Sequence, residues 1–144
     1  VCDLSDARIL AKQLHWAGIT EGAKNQAFNI VNGDVFRWNW MWKEIADYFE
    51  LEVAEYPGNA TPLEEQMKTS SQEWDKIVDK HGLQPQKMER LASWWHSDSD
   101  LSRSFETFAD MSKSRQLGFT EYQKSNQSFF DLFNRLRRER IIPA

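Results

Sequence analysis

A single cysteine is all that this chain of 144 residues contains. Cys2 can close no disulfide within the chain and cannot build a thiolate metal site, and such usage fits a reducing compartment, the cytoplasm. Histidine is nearly as scarce. His15, His81 and His96 stand far apart, none in a spacing such as His-x-x-x-His, so no metal site is expected. The six glycines never fall in a G-x-G-x-x-G pattern, and Asn32-Gly33-Asp34 is a single turn, so this stretch is expected to hold no cofactor itself. Positive charge is in deficit, with a net charge of −4, which leaves no basic footprint for nucleic acid. The one basic cluster, Arg135-Leu136-Arg137-Arg138-Glu139-Arg140, reads as the solvated face of a helix. No apolar run approaches the roughly 20 residues of a membrane span, so no membrane is expected as a partner. No signal peptide is visible, and Val1 rather than Met stands before the first helix signal, so a piece of a longer protein is expected.

Catalytic patterns are also missing. Tyr48, Tyr56 and Tyr122 are the only tyrosines, and none precedes a Lys by four positions. A helix carrying Tyr-x-x-x-Lys, in which the Lys lowers the Tyr pKa for proton donation, is therefore absent. No serine sits in a nucleophile-elbow context. Asp98 and Asp100 form a close carboxylate pair, but two residues apart in a polar segment they read as a turn and a helix cap. No catalytic residue is assigned.

What the chain has in excess is tryptophan: Trp16, Trp38, Trp40, Trp42, Trp74, Trp94 and Trp95. A core of this size does not hide seven indoles, so some are expected to face a partner, a ligand or a further domain. Trp94-Trp95-His96 is the candidate ligand-facing patch. Neighbours on a helix differ by about 100°, so two adjacent indoles cannot share one core.

The patterning predicts a mainly α chain with one or two short β-strands. Asp3 is expected to cap a helix running to about Thr20, with Asp6 in its first turn and Ala7, Leu10, Ala11, Leu14, Ala17 and Gly18 as its apolar face. Ala27-Phe28-Asn29-Ile30-Val31 reads as a strand, ended by the Asn32-Gly33-Asp34 turn. Trp38, Met41, Trp42, Ile45 and Phe49 then recur at helical spacing, giving a helix over roughly 36–50. Leu51–Ala54 could form a second short strand. Thr61-Pro62-Leu63-Glu64 and Ser70 with Glu73 look like capping boxes. Met88, Leu91, Ala92 and Trp95 suggest one helix, 96–107 an irregular stretch, and Asp110 and Ser125 the caps of two more helices. A strand alone makes no sheet, so residues 27–31 need neighbours that this chain barely supplies.

The run AFNIVNGDVFRWNWMWKEIADYFELEV resembles the corresponding stretch of the progesterone 5β-reductase/iridoid synthase-like family, a branch of the extended short-chain dehydrogenases/reductases. The resemblance continues through Leu91–His96, through the D-x-S-K-x-R-x-L-G-F element at Asp110–Phe119, and to Arg140-Ile141-Ile142-Pro143. It implies that residues 1–144 are a single C-terminal substrate-binding region of an α/β parent, whose Rossmann domain with its dinucleotide loop and catalytic Tyr and Lys lies upstream. It further implies NAD(P)H as the parent's cofactor, a small apolar enone or carbonyl as substrate, and Trp94, Trp95 and His96 as substrate-binding residues. Plant members tend to have Phe where this chain has His96. Segment 27–31 would join the edge of the Rossmann sheet, and an exposed edge would allow a homodimer. Two alternatives stay open: a non-catalytic helical interaction module, and part of an NAD-dependent sugar epimerase or dehydratase.

Overall fold

A computed structural model describes all residues, Val1–Ala144. Eight α-helices succeed one another: α1 Ala7–Ile19, α2 Trp38–Tyr48, α3 Leu63–Gln66, α4 Ser71–His81, α5 Met88–Leu91, α6 Trp94–Leu101, α7 Ser112–Gln116 and α8 Ser125–Arg138. Strand pairing is confined to two isolated bridges, Cys2 with Phe36 and Cys2 with Thr107. The chain divides into two compact units, Val1–Val53 with Glu106–Phe130, and Ala54–Phe105 with Asp131–Ala144.

The first unit holds the core. Ile9, Val31, Met111 and Phe119 are buried together, with Trp16, Ile30 and Ala109 packed against them. Trp16 meets Phe28 edge-on at 5.2 Å and Phe119 at 5.4 Å. The cap of α1 is Asp6 rather than Asp3, because Asp6 accepts the Arg8 amide at 2.8 Å while the Asp3 carboxylate accepts from the Ala109 amide. The helix also turns the other way from expectation. Its inward residues are Ile9 at 1% exposure, Gln13 and Trp16, whereas Leu10 and Leu14 (65% exposed) face out. Both faces of α1 are apolar enough to be buried, and the chain supplies a cover for only one.

Residues 27–31 are extended but form no strand, since no other segment of the chain pairs with them. Side chains satisfy three of their carbonyls: Lys113 donates to Ala27 at 2.9 Å, Gln13 to Asn29 at 3.0 Å and Ser5 to Ile30 at 2.8 Å. None of their five backbone N–H groups donates to any group in the chain. Leu51–Ala54 likewise forms no strand.

Asn32, fully buried, is the polar centre of this unit. Its amide donates to the Leu4 carbonyl at 2.7 Å, and its carbonyl accepts from the Gln123 amide at 2.9 Å. Its Oδ1 accepts from the Asp6 amide at 2.8 Å, and its Nδ2 donates to Ser125 Oγ at 3.1 Å and Ser128 Oγ at 3.4 Å. Ser125 does not cap α8 as its sequence context suggests. Its amide and hydroxyl both donate to Asp34, at 2.9 and 2.6 Å, so the turn supplies the carboxylate that the helix start favours.

The second unit has a thin interior, with Met88 its only buried apolar side chain. Helix α4 ends at Gly82, which adopts the left-handed conformation (φ 58°) that a helix C-cap favours in glycine. The predicted Met88–Trp95 helix is broken. Ala92 and Ser93 are extended, so α5 stops at Leu91 and α6 begins afresh at Trp94. The stretch 96–107, expected to be irregular, is helical through Leu101.

Candidate functional site

The break before α6 puts Trp94, Trp95 and His96 in the first turn of that helix. Ser93 precedes them in extended geometry, and its carbonyl accepts from both the Ser97 amide (3.0 Å) and the Ser97 hydroxyl (3.3 Å). The two indoles diverge as adjacent helical residues must. Trp94 is half-buried, while Trp95 is 64% exposed and meets the His96 ring edge-on at 5.5 Å. His96 Nε2 lies 3.5 Å from Asp100 Oδ2, one turn on, and Arg103 donates to the same carboxylate. The patch therefore pairs an outward aromatic surface with an ion-paired polar edge. It can offer an apolar group a ring face, and its imidazole can donate or accept a hydrogen bond.

Asp98 has a structural task. Its two carboxylate oxygens accept the backbone N–H groups of Leu63 (2.7 Å) and Glu64 (3.0 Å), the orphan donors at the start of α3. It is thus a cap, but of a helix distant in sequence. The capping residues written into the sequence do not act locally: Pro62, which has no polar side chain, stands at the N-cap of α3 where Thr61 is expected, and Ser70 makes no side-chain cap bond to α4. Nothing near Thr61–Glu64 could have revealed that the carboxylate comes from α6.

Two clefts lie in the first unit, and Trp94, Trp95 and His96 line neither. One, of about 550 Å³, is bordered by His15, Trp16 and Ile19 of α1 and by Gly118–Glu121. The other, of about 640 Å³, opens beside the Gly33 turn. That turn does not fit a dinucleotide. It leads into extended residues rather than into a helix N-terminus, since α2 begins only at Trp38. No group of three or more His, Cys, Asp or Glu side chains could hold a metal ion, and no helix is long and apolar enough to cross a membrane.

Four carboxyl groups are held below their ordinary range. Asp6 is held well below it, chiefly by hydrogen bonds from the Arg8 guanidinium. Glu106 is lowered first by its hydrogen bond from the Val1 amine, Asp110 by Ser112, and Glu89 by the Ser71 hydroxyl. All four serve folding contacts. None has the raised pKa of a general acid.

No family model matches the chain. The (S)-8-oxocitronellyl enol synthase of Antirrhinum majus is 40% identical over 142 residues, which cover 98% of this chain. The enzymes of the same name from Camptotheca acuminata and Catharanthus roseus are 39% and 37% identical over 143 residues. Over nearly its whole length the chain is thus similar to these enol synthases. Those enzymes are of the progesterone 5β-reductase/iridoid synthase-like family, the one that the chain's tryptophan-rich run and its D-x-S-K-x-R-x-L-G-F element resemble. The chain spans only about a third of these relatives' length, 36% for the Antirrhinum enzyme.

Proposed function

We propose that this chain is the C-terminal, substrate-binding part of an NAD(P)H-dependent oxidoreductase of the short-chain dehydrogenase/reductase superfamily, acting on an enone, enal or other carbonyl compound in the cytoplasm. The alignment of nearly the whole chain with about a third of the enol synthases carries this reading. In it, a Rossmann domain outside these residues holds the cofactor, which supplies the hydride. This chain's residues do the rest of the work on the substrate side. Trp94, Trp95 and His96 form an aromatic wall that orients a small apolar substrate and excludes water. The five free N–H groups of residues 27–31 and the outward Leu10–Leu14 stripe of α1 support a role for both as surfaces that the further domain covers, with 27–31 as its sheet edge. Neither nucleic acid nor a membrane is a partner in this reading.

The test is kinetic, in the longer enzyme. Trp95→Ala, at an exposed position, should leave the fold intact and lower kcat/KM for an apolar enal by about tenfold. Unchanged kinetics would remove Trp95 from the site.

The same free edge favours a second reading, a helical module that pairs with a second copy of itself through residues 27–31.

A further inference from the structure

The cleft beside the Gly33 turn has a composition that the substrate-side reading does not use. Trp40 of α2, Arg115 of α7, and Tyr122 and Lys124 of the segment before α8 line it, together with Asp34 and Glu121. Both carboxylates are committed elsewhere. Asp34 accepts the amide and hydroxyl of Ser125, and Glu121 pairs with Lys12 at 2.6 Å. The two cations are not committed, for neither Arg115 nor Lys124 forms an ion pair or a side-chain hydrogen bond in the chain. Arg115 reaches Asp110 only as a charge through space.

The guanidinium lies beside the turn. Gly33 has φ 102°, and a Cβ there would stand 3.3 Å from Arg115 Nη2 and 3.5 Å from Tyr122 Cβ. Arg115 and Tyr122 thus lie close against the turn, whose positive φ favours glycine. The two rings remain uncovered, Trp40 at 45% and Tyr122 at 66% exposure. A planar guanidinium matches a carboxylate or phosphate through paired N–H donors, and an ammonium adds a second positive charge. Exposed indole and phenol rings offer a conjugated group faces or edges to pack on. The volume, about 640 Å³, is that of a small-molecule site.

We propose that this cleft binds a planar organic anion, an aryl carboxylate or aryl phosphate, with its head group on Arg115 and Lys124 and its ring against Trp40 and Tyr122. The site is distinct from Trp94–His96, which belong to the other unit.

The experiment titrates the full 144-residue chain with phenyl phosphate, benzoate and inorganic phosphate, read by tryptophan fluorescence and calorimetry. It repeats the series on Arg115→Gln, Lys124→Gln and Trp40→Ala, each checked by thermal melting. The expected result is saturable binding of at least one aryl anion, weakened about tenfold in each variant whose melting is unchanged. The aryl anion that binds more tightly identifies the head group. Lys124→Gln, at an exposed position, keeps the test open should another variant fail to fold. No saturable binding, or equal affinity in Lys124→Gln, would overturn the proposal. So would inorganic phosphate binding as tightly as phenyl phosphate, which would leave the rings no part.

Discussion

Asn32 shows how much one polar residue can organise. Its side chain joins the start of α1, through Asp6, to the first turn of α8, through Ser125 and Ser128. Asn32→Ala would take the acceptor from the Asp6 amide and the donor from the Ser125 and Ser128 hydroxyls, at a cost of about 3 kcal/mol. The expected fall in melting temperature is roughly 10 °C in a chain of this size. A shift under a few degrees would show that water or a rearrangement replaces these bonds. Asp6 adds a pH dependence with a definite sign. Its native pKa lies below the unfolded value, so the unfolded chain binds more protons in acid. The stabilisation is full above about pH 4 and is lost as pH falls further toward the native value. Asp6→Asn should therefore be less stable than the parent at neutral pH and lose less of its stability on acidification, as chemical denaturation at pH 7 and pH 3 would reveal.

Among the elements, the short helices depend on groups far away in sequence. Helix α3 has four residues and takes its N-terminal acceptor from Asp98 on α6. Asp98→Ala should destabilise that end by about 1 kcal/mol. Amide exchange at Leu63 and Glu64 should quicken while the first unit's amides keep their protection. Unchanged exchange at those two amides would rule out the cap. The long helices behave differently. α2 and α8 have a visible apolar period, and some of their rings meet along it, for Trp38 lies 5.2 Å from Trp42 and 6.3 Å from Phe129, whereas Tyr48, outside the predicted stripe, stacks on Phe130 at 5.1 Å. Helix α1 has two apolar stripes, and its sequence alone does not say which one finds the core.

At the scale of the whole molecule, what stays unpaired is as informative as what is packed. The N–H groups of residues 27–31 are open, the Leu10–Leu14 stripe is uncovered, and the interior of the second unit is thin. In the isolated chain the amides of 27–31 should exchange rapidly. In a longer protein carrying a Rossmann domain they should be protected by sheet pairing. Rapid exchange in both would refute the sheet-edge assignment. Light scattering on the isolated chain separates the second reading: a dimer whose formation protects the same amides would favour self-pairing.

The sequence by itself determined the resemblance to the enol synthases, the helical character, the long helices and the lack of a metal or nucleotide motif, because apolar period, residue spacing and specific runs are local properties of the chain. Tertiary structure decided the rest. It chose the face of α1, broke the helix between Leu91 and Trp94, left 27–31 without a strand partner and handed the capping of α3 and α8 to Asp98 and Asp34. It also brought Arg115 and Lys124 beside Trp40 and Tyr122. Each outcome depends on which distant groups compete for the same core volume or the same orphan amide, and spacing along the chain does not encode that.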